Sequence, residues 1–143
     1  MCVLRICGKT LDVDGLVSRI QLETCGVHHK GDKSRHPRGG ILQCSGFNLV
    51  VSDADQDDFD AQINDAIVFL IANRDELKVI LSEPGIDETY LDIPIHRRAY
   101  FQYDRFPLEL LRLLSQLGVE LEVSSYPPIA PDQDDPYDGE PFP

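Results

Sequence analysis

No apolar run in this 143-residue chain approaches the ~20 residues that a membrane-spanning helix needs, so a spanning helix is excluded. The opening stretch MCVLRICGKT is too short and too charged for a secretory signal. Both features predict a cytoplasmic protein. Basic residues are scarce: 13 Lys and Arg face 25 Asp and Glu, leaving a formal charge of −12. Phosphate attraction dominates nonspecific binding to nucleic acid and to anionic lipid, so neither partner is expected. No glycine-rich turn of the dinucleotide-binding type follows the first strand-like run, and no internal repeat is visible. Cysteines number four, at positions 2, 7, 25 and 44. In a cytoplasmic chain they read as free thiols.

What is present alternates between strand and helix signatures. Val3 to Cys7 is apolar around Arg5 and predicts a first strand, ended by Gly8. Asp12 or Asp14 suits the cap of a short helix carrying Val13, Leu16, Val17 and Ile20 on one face. Residues 23–40 change character. They hold His28, His29 and His36, four basic residues, four glycines and Pro37, and read as a long surface loop. Residues 41–52 return to strand composition, with Gly46 marking a bulge, a bend or a tight hairpin.

A run of five aspartates in eight residues, 53–60, precedes a strong helix. Phe59, Ile63, Ala66, Ile67 and Leu70 form its stripe, and Val68, Phe69 and Ile71 widen it into a deeply packed helix. Apolar positions resume at Leu77, Ile80 and Leu81, and Asn73 suits a break, so the pattern predicts one long helix or two with a kink, ended by Pro84-Gly85. Residues 90–103 contain a strand in which Pro94 favours an edge or a bulge. Arg105 to Tyr126 then reads as a helix, a stop and a strand. Leu110, Leu111, Leu114 and Leu117 face inward, with Leu108 and Leu113 beside them. Gly118 is the left-handed stop, and Val119, Leu121 and Val123 alternate with Glu120 and Glu122.

These elements predict an α+β domain over residues 1–126: a single mixed or antiparallel sheet of four to five strands, with three helices mostly on one face. Residues 127–143 hold six prolines, five acids and no Lys or Arg. They bury too little apolar surface to offset ordering, which predicts a disordered acidic tail.

The order of elements resembles the bacterial family named domain of unknown function 4279. The resemblance rests on the strand ending at Gly8, on LDVDGLVSRIQL, on Lys30-Gly31-Asp32, on the long helix, and on the leucine-rich helix with Leu117-Gly118 and the strand to Tyr126. It spans residues 3–126 and implies a small bacterial cytosolic α/β domain. It supplies no catalytic or binding residues, and the acidic tail and histidine-rich loop depart from its pattern.

Three residue sets have the chemistry of a site. Cys25, His28, His36 and Cys44 are the right ligand types for tetrahedral zinc, and Cys25 to His28 is a suitable short spacing. A second close pair is missing, and a thiol in a strand is ordinarily just buried. Lys30, Asp32, Arg35 and Arg38 in the loop, with His96, Arg97 and Arg98, suit an anion or an acidic ligand; a solvated loop is the plain alternative. Asp53, Asp55 and Asp57 match the first three positions of a calcium loop, but Asp58 stands where glycine is needed and Asn64 where the bidentate glutamate belongs. Helix capping explains those aspartates as well. Catalysis has only Cys25 and His28 as a nucleophile and base, with nothing to orient the histidine. The sequence therefore points to a small non-enzymatic binding or interaction domain with a protein partner, in the manner of an immunity or antitoxin protein, needing no cofactor. The alternative is a metal- or anion-dependent enzyme or ligand sensor using residues 25–44.

Overall fold

A computed structural model of the protein describes residues 1–35, 38–97 and 102–127. His36, Arg98 and the acidic tail beyond residue 127 lie outside the described residues. The chain runs β1 (Cys2–Gly8), α1 (Val13–Val17), β2 (Thr24–His28), β3 (Ser45–Ser52), α2 (Phe59–Ala72), α3 (Arg74–Leu81), β4 (Glu88–His96), α4 (Leu108–Leu117) and β5 (Glu120–Tyr126). The strands form one five-stranded sheet in the order β2-β3-β1-β4-β5. Three neighbouring pairs are antiparallel and β4–β5 is parallel, with α4 as the crossover. This is the mixed α+β sheet that the alternation predicts. Among the described residues no helix is long and apolar enough to cross a membrane.

The helices cover one face. Leu4 and Ile6 of β1, Phe47 and Leu49 of β3, and Leu91 and Ile93 of β4 point into a single core with Ile63 and Leu70 of α2, Leu77 of α3 and Leu110 of α4. Caps follow the sequence. Asp12 accepts from the Gly15 amide and Asp58 from the Ala61 amide, both at 3.0 Å. Gly118 ends α4 at φ 69°, a conformation costly for any residue with a Cβ. A buried glutamine that composition did not flag, Gln62, donates through Nε2 to the carbonyls of Asp55 (3.1 Å) and Pro94 (3.0 Å) and so ties α2 to the acidic turn and to β4.

Of the two readings open at Asn73, the structure has two helices: Asn73 is the cap residue between them, with its side chain turned back onto the Phe69 carbonyl at 2.9 Å. The helix count is therefore four. Other expectations are corrected. Residues 23–40 are not all loop: Thr24–His28 is an edge strand, hidden in the sequence by Gly26 and by a bulge in its pairing with β3. Beyond it the chain folds back on itself through the Lys33–Ile41 bridge and hydrogen bonds between Gly31, Asp32 and Leu42. Pro94 lies in an interior strand. β1 stops at the Val3–Asp92 pair, so on that side no ladder asks Pro94 for a donor. Val68 and Ile71 are exposed on the outer side of α2, and Leu108 and Leu111 are exposed on α4, because a helix lying on a sheet buries one stripe only.

Candidate functional site

Side chains alternate across a strand, so the positions between the core residues face away from the helices. There the register builds rows across the sheet. One row joins Cys25, Asn48, Arg5 and Tyr90. Two residues along lies a second row of His28, Gly46, Cys7 and Glu88. This helix-free face is polar at its centre. Arg5 donates through Nε (3.2 Å) and Nη2 (3.0 Å) to Oδ2 of Asp92, and the Ser124 hydroxyl donates to Oδ1 at 2.7 Å. The side chains of this ion pair are only 13% and 8% exposed. Asn48 beside it is buried.

The electrostatics follow from that packing. Burial raises the Tyr90 phenol, opposed by Arg5 and supported by Glu122. Burial raises the Cys25 thiol, opposed by the Asn48 amide and the Arg5 guanidinium. Cys7 is pushed up to about 12, first by burial, then by hydrogen bonding with and charge on Cys44, then by Glu88. Its sulfur lies 3.7 Å from Glu88 Oε2. His28 Nδ1 sits 3.0 Å from the Gly26 carbonyl.

The anion set divides between the two ends of the sheet. Lys30 and Asp32 lie past the His28 end, where the Lys30 amide donates to Ser45 and Asp32 accepts from the His29 amide. Arg35 and Arg38 are exposed. His96 and Arg97 lie at the opposite end of β4 from Glu88, which is level with Gly46. A nine-residue strand at ~3.3 Å per residue separates the two ends by about 26 Å. The structure thus does not bring the two halves together. Arg98 lies outside the described residues.

The zinc set is partly scattered too. Cys25 stands in the row of Asn48 and Arg5, His28 in the row of Cys7, and Cys44 beside Cys7, while His36 is not described. Among the described residues, His28 and Cys25 share no hydrogen bond that would make them a base and a nucleophile.

At the other end of the sheet, Asp55, Asp57 and His96 place one ligand atom each within 4.8 Å of one another. His96 Nδ1 is 3.4 Å from Asp57 Oδ1. Both aspartates are exposed, and the turn explains much of their placement: Asp55 accepts from the Asp57 amide at 3.2 Å, and Asp58 caps α2.

Compared with known proteins, the chain matches the family model described as domain of unknown function (DUF4279) over residues 1–128. No curated protein and no solved structure matches it.

Proposed function

This chain belongs to the DUF4279 family, and on that premise we propose that it is a cytoplasmic, non-enzymatic bacterial docking domain of the immunity-protein kind, whose partner is a basic protein. One observation carries the reading. The exposed aspartates 53, 55, 57, 58 and 60 lead directly into an exposed helical stripe of Asp60, Asn64, Val68 and Ile71 on the outer face of α2. Residues four and three apart share a helix face, so acid and bare apolar surface are contiguous. Val68 is 65% exposed and Ile71 53%. A field of one sign accelerates encounter with a partner of the other, and a few apolar anchors then hold it.

The enzyme reading finds no nucleophile, base and orienting group assembled among the described residues. Among the described residues, the cations of the anion reading do not meet in one place. The test is co-expression with the protein encoded beside this one in its host. The expected result is a complex whose association slows with salt and slows by about tenfold when Asp53, Asp55 and Asp57 become Asn. Absence of a complex, or one indifferent to both salt and those substitutions, overturns the reading.

A further inference from the structure

We propose that Asp55, Asp57 and His96 hold one divalent transition-metal cation of the manganese-to-zinc series, where the acidic turn before α2 meets the end of β4. The inference goes beyond the docking reading and does not rest on it.

Two elements distant in sequence supply the ligands. Asp55 and Asp57 stand in the turn between β3 and α2, and His96 is the last residue of β4. One ligand atom from each lies within 4.8 Å of the others, and among the described residues no other three His, Cys, Asp or Glu side chains come together in this way. His96 Nδ1 is 3.4 Å from Asp57 Oδ1. Donors held ~2.1 Å from one cation stand ~3–4 Å apart, so small side-chain rotations complete the set. Helix capping does not account for the arrangement. The cap of α2 is Asp58, and the bond from the Asp57 amide to Asp55 is local to the turn. Neither brings a histidine in from β4.

The junction is clamped from both sides. The His96 amide donates to the Gln56 carbonyl at 3.3 Å. The imidazole packs at 90° to the Tyr126 ring, with centroids 6.1 Å apart, and the histidine side chain is only 20% exposed. Gln62, fully buried, joins the same two elements through the carbonyls of Asp55 and Pro94. The ligands are thus placed by the packing around them and need little ordering to capture an ion.

A second observation points to a ligand here. Among the described residues, three buried side-chain nitrogen or oxygen atoms lack a hydrogen-bond partner, and two belong to this junction: Gln56 Oε1 and Gln62 Oε1. Gln56 lies between the two aspartates in the chain, and the Gln62 nitrogen is already engaged with Asp55 and Pro94. Buried acceptors without donors are rare and call for an ion or water close by. Three protein ligands leave coordination positions for water, and water on a metal is a strengthened donor. A hydrated cation therefore offers these oxygens the donors they lack. A His96–Asp57 ion pair by itself offers them none and leaves Asp55 without a role.

The donor set selects the class of ion. Imidazole favours the transition metals over magnesium and calcium, and a set without sulfur has no preference for the softest ions. Both aspartates are exposed, which gives the ion its entry path.

The test uses the full chain without a histidine tag, stripped of metal with a chelator and titrated with Mn²⁺, an ion with little affinity for thiols. The expected result is loss of the free Mn²⁺ electron paramagnetic resonance signal at one ion per chain. NMR should show line broadening centred on the His96 imidazole and the amides of residues 55–57, and about a tenfold excess of Mg²⁺ should not displace the ion. His96→Ala, Asp55→Asn and Asp57→Asn each weaken binding by at least ~10-fold. Asp53→Asn removes a charge from the same run outside the set, and His29→Ala removes an exposed histidine from the other end of the sheet; both leave binding within about twofold of the parent. Circular dichroism confirms that each variant is folded. Should His96→Ala fail to fold, Asp57→Asn against Asp53→Asn decides, since both side chains are exposed. The proposal is overturned if no Mn²⁺ is bound, if binding does not saturate at one ion, if Mg²⁺ competes as an equal, if a folded His96→Ala binds as the parent does, or if Asp53→Asn weakens binding as much as Asp57→Asn.

Discussion

Arg5 and Asp92 are 87 positions apart in the chain and 3.0 Å apart in space. Arg5 is visible in the sequence as a charge inside an apolar run; its partner is not, because only the β1–β4 register joins them. The pair is nearly buried, so removing one member strands the other. Asp92→Ala should cost about 3 kcal/mol in urea unfolding, and a double Arg5→Met/Asp92→Leu variant should lose less than that single one. Ser124→Ala, which removes one neutral donor to the carboxylate, should cost about 1 kcal/mol. Cys2 makes a second prediction at this scale. Burial and the nearby Asp92 push its thiol from 9.0 up to about 12. The native state therefore keeps a proton that the unfolded chain releases above 9.0, and stability contributed by that proton falls as pH rises from there toward about 12. Urea midpoints at about pH 8 and about pH 10 should differ less in Cys2→Ala than in the parent protein.

At the scale of elements, α2 shows what periodicity can and cannot settle. Its sequence is apolar nearly all round, so the stripe to be buried is fixed by the sheet rather than by the helix. Ile63, Ala66 and Leu70 win that place, and Val68 and Ile71 are left outside. Leu70→Ala should cost about 3 kcal/mol by loss of packing and an unfilled cavity. Val68→Lys with Ile71→Lys should change stability by no more than ~0.5 kcal/mol each, measured by thermal or urea unfolding. Gly118→Ala should cost about 1 kcal/mol, because φ is 69° there. The α4–β5 unit was the most legible part of the chain: its leucine spacing, glycine stop and alternating strand all describe local geometry. β2 was the least legible. Its five residues include a glycine, alternate no apolar side chains and acquire strand character only from β3.

At the scale of the molecule, the alternation of strand and helix was enough for a mixed sheet backed by helices, and the order β2-β3-β1-β4-β5 was not, since it depends on pairings between distant segments. The same limit applies to the candidate sites. Residue types suggested metal and anion chemistry, but the topology leaves Cys25 and His28 in different rows of the sheet and keeps His96 and Arg97 at the opposite end from Lys30 and Asp32. What remains legible at this scale is charge. The −12 formal charge and the exposed acidic turn that runs into the bare face of α2 are the physical basis for proposing a basic protein partner. The most direct measurement is the association rate between this chain and the protein encoded beside it, taken across salt concentrations for the parent and for the Val68→Lys/Ile71→Lys variant. The docking account predicts association that slows steeply with added salt and, in the variant, a complex that dissociates at least ~10-fold faster at unchanged stability. A rate independent of salt, together with a variant that binds as the parent does, would contradict it.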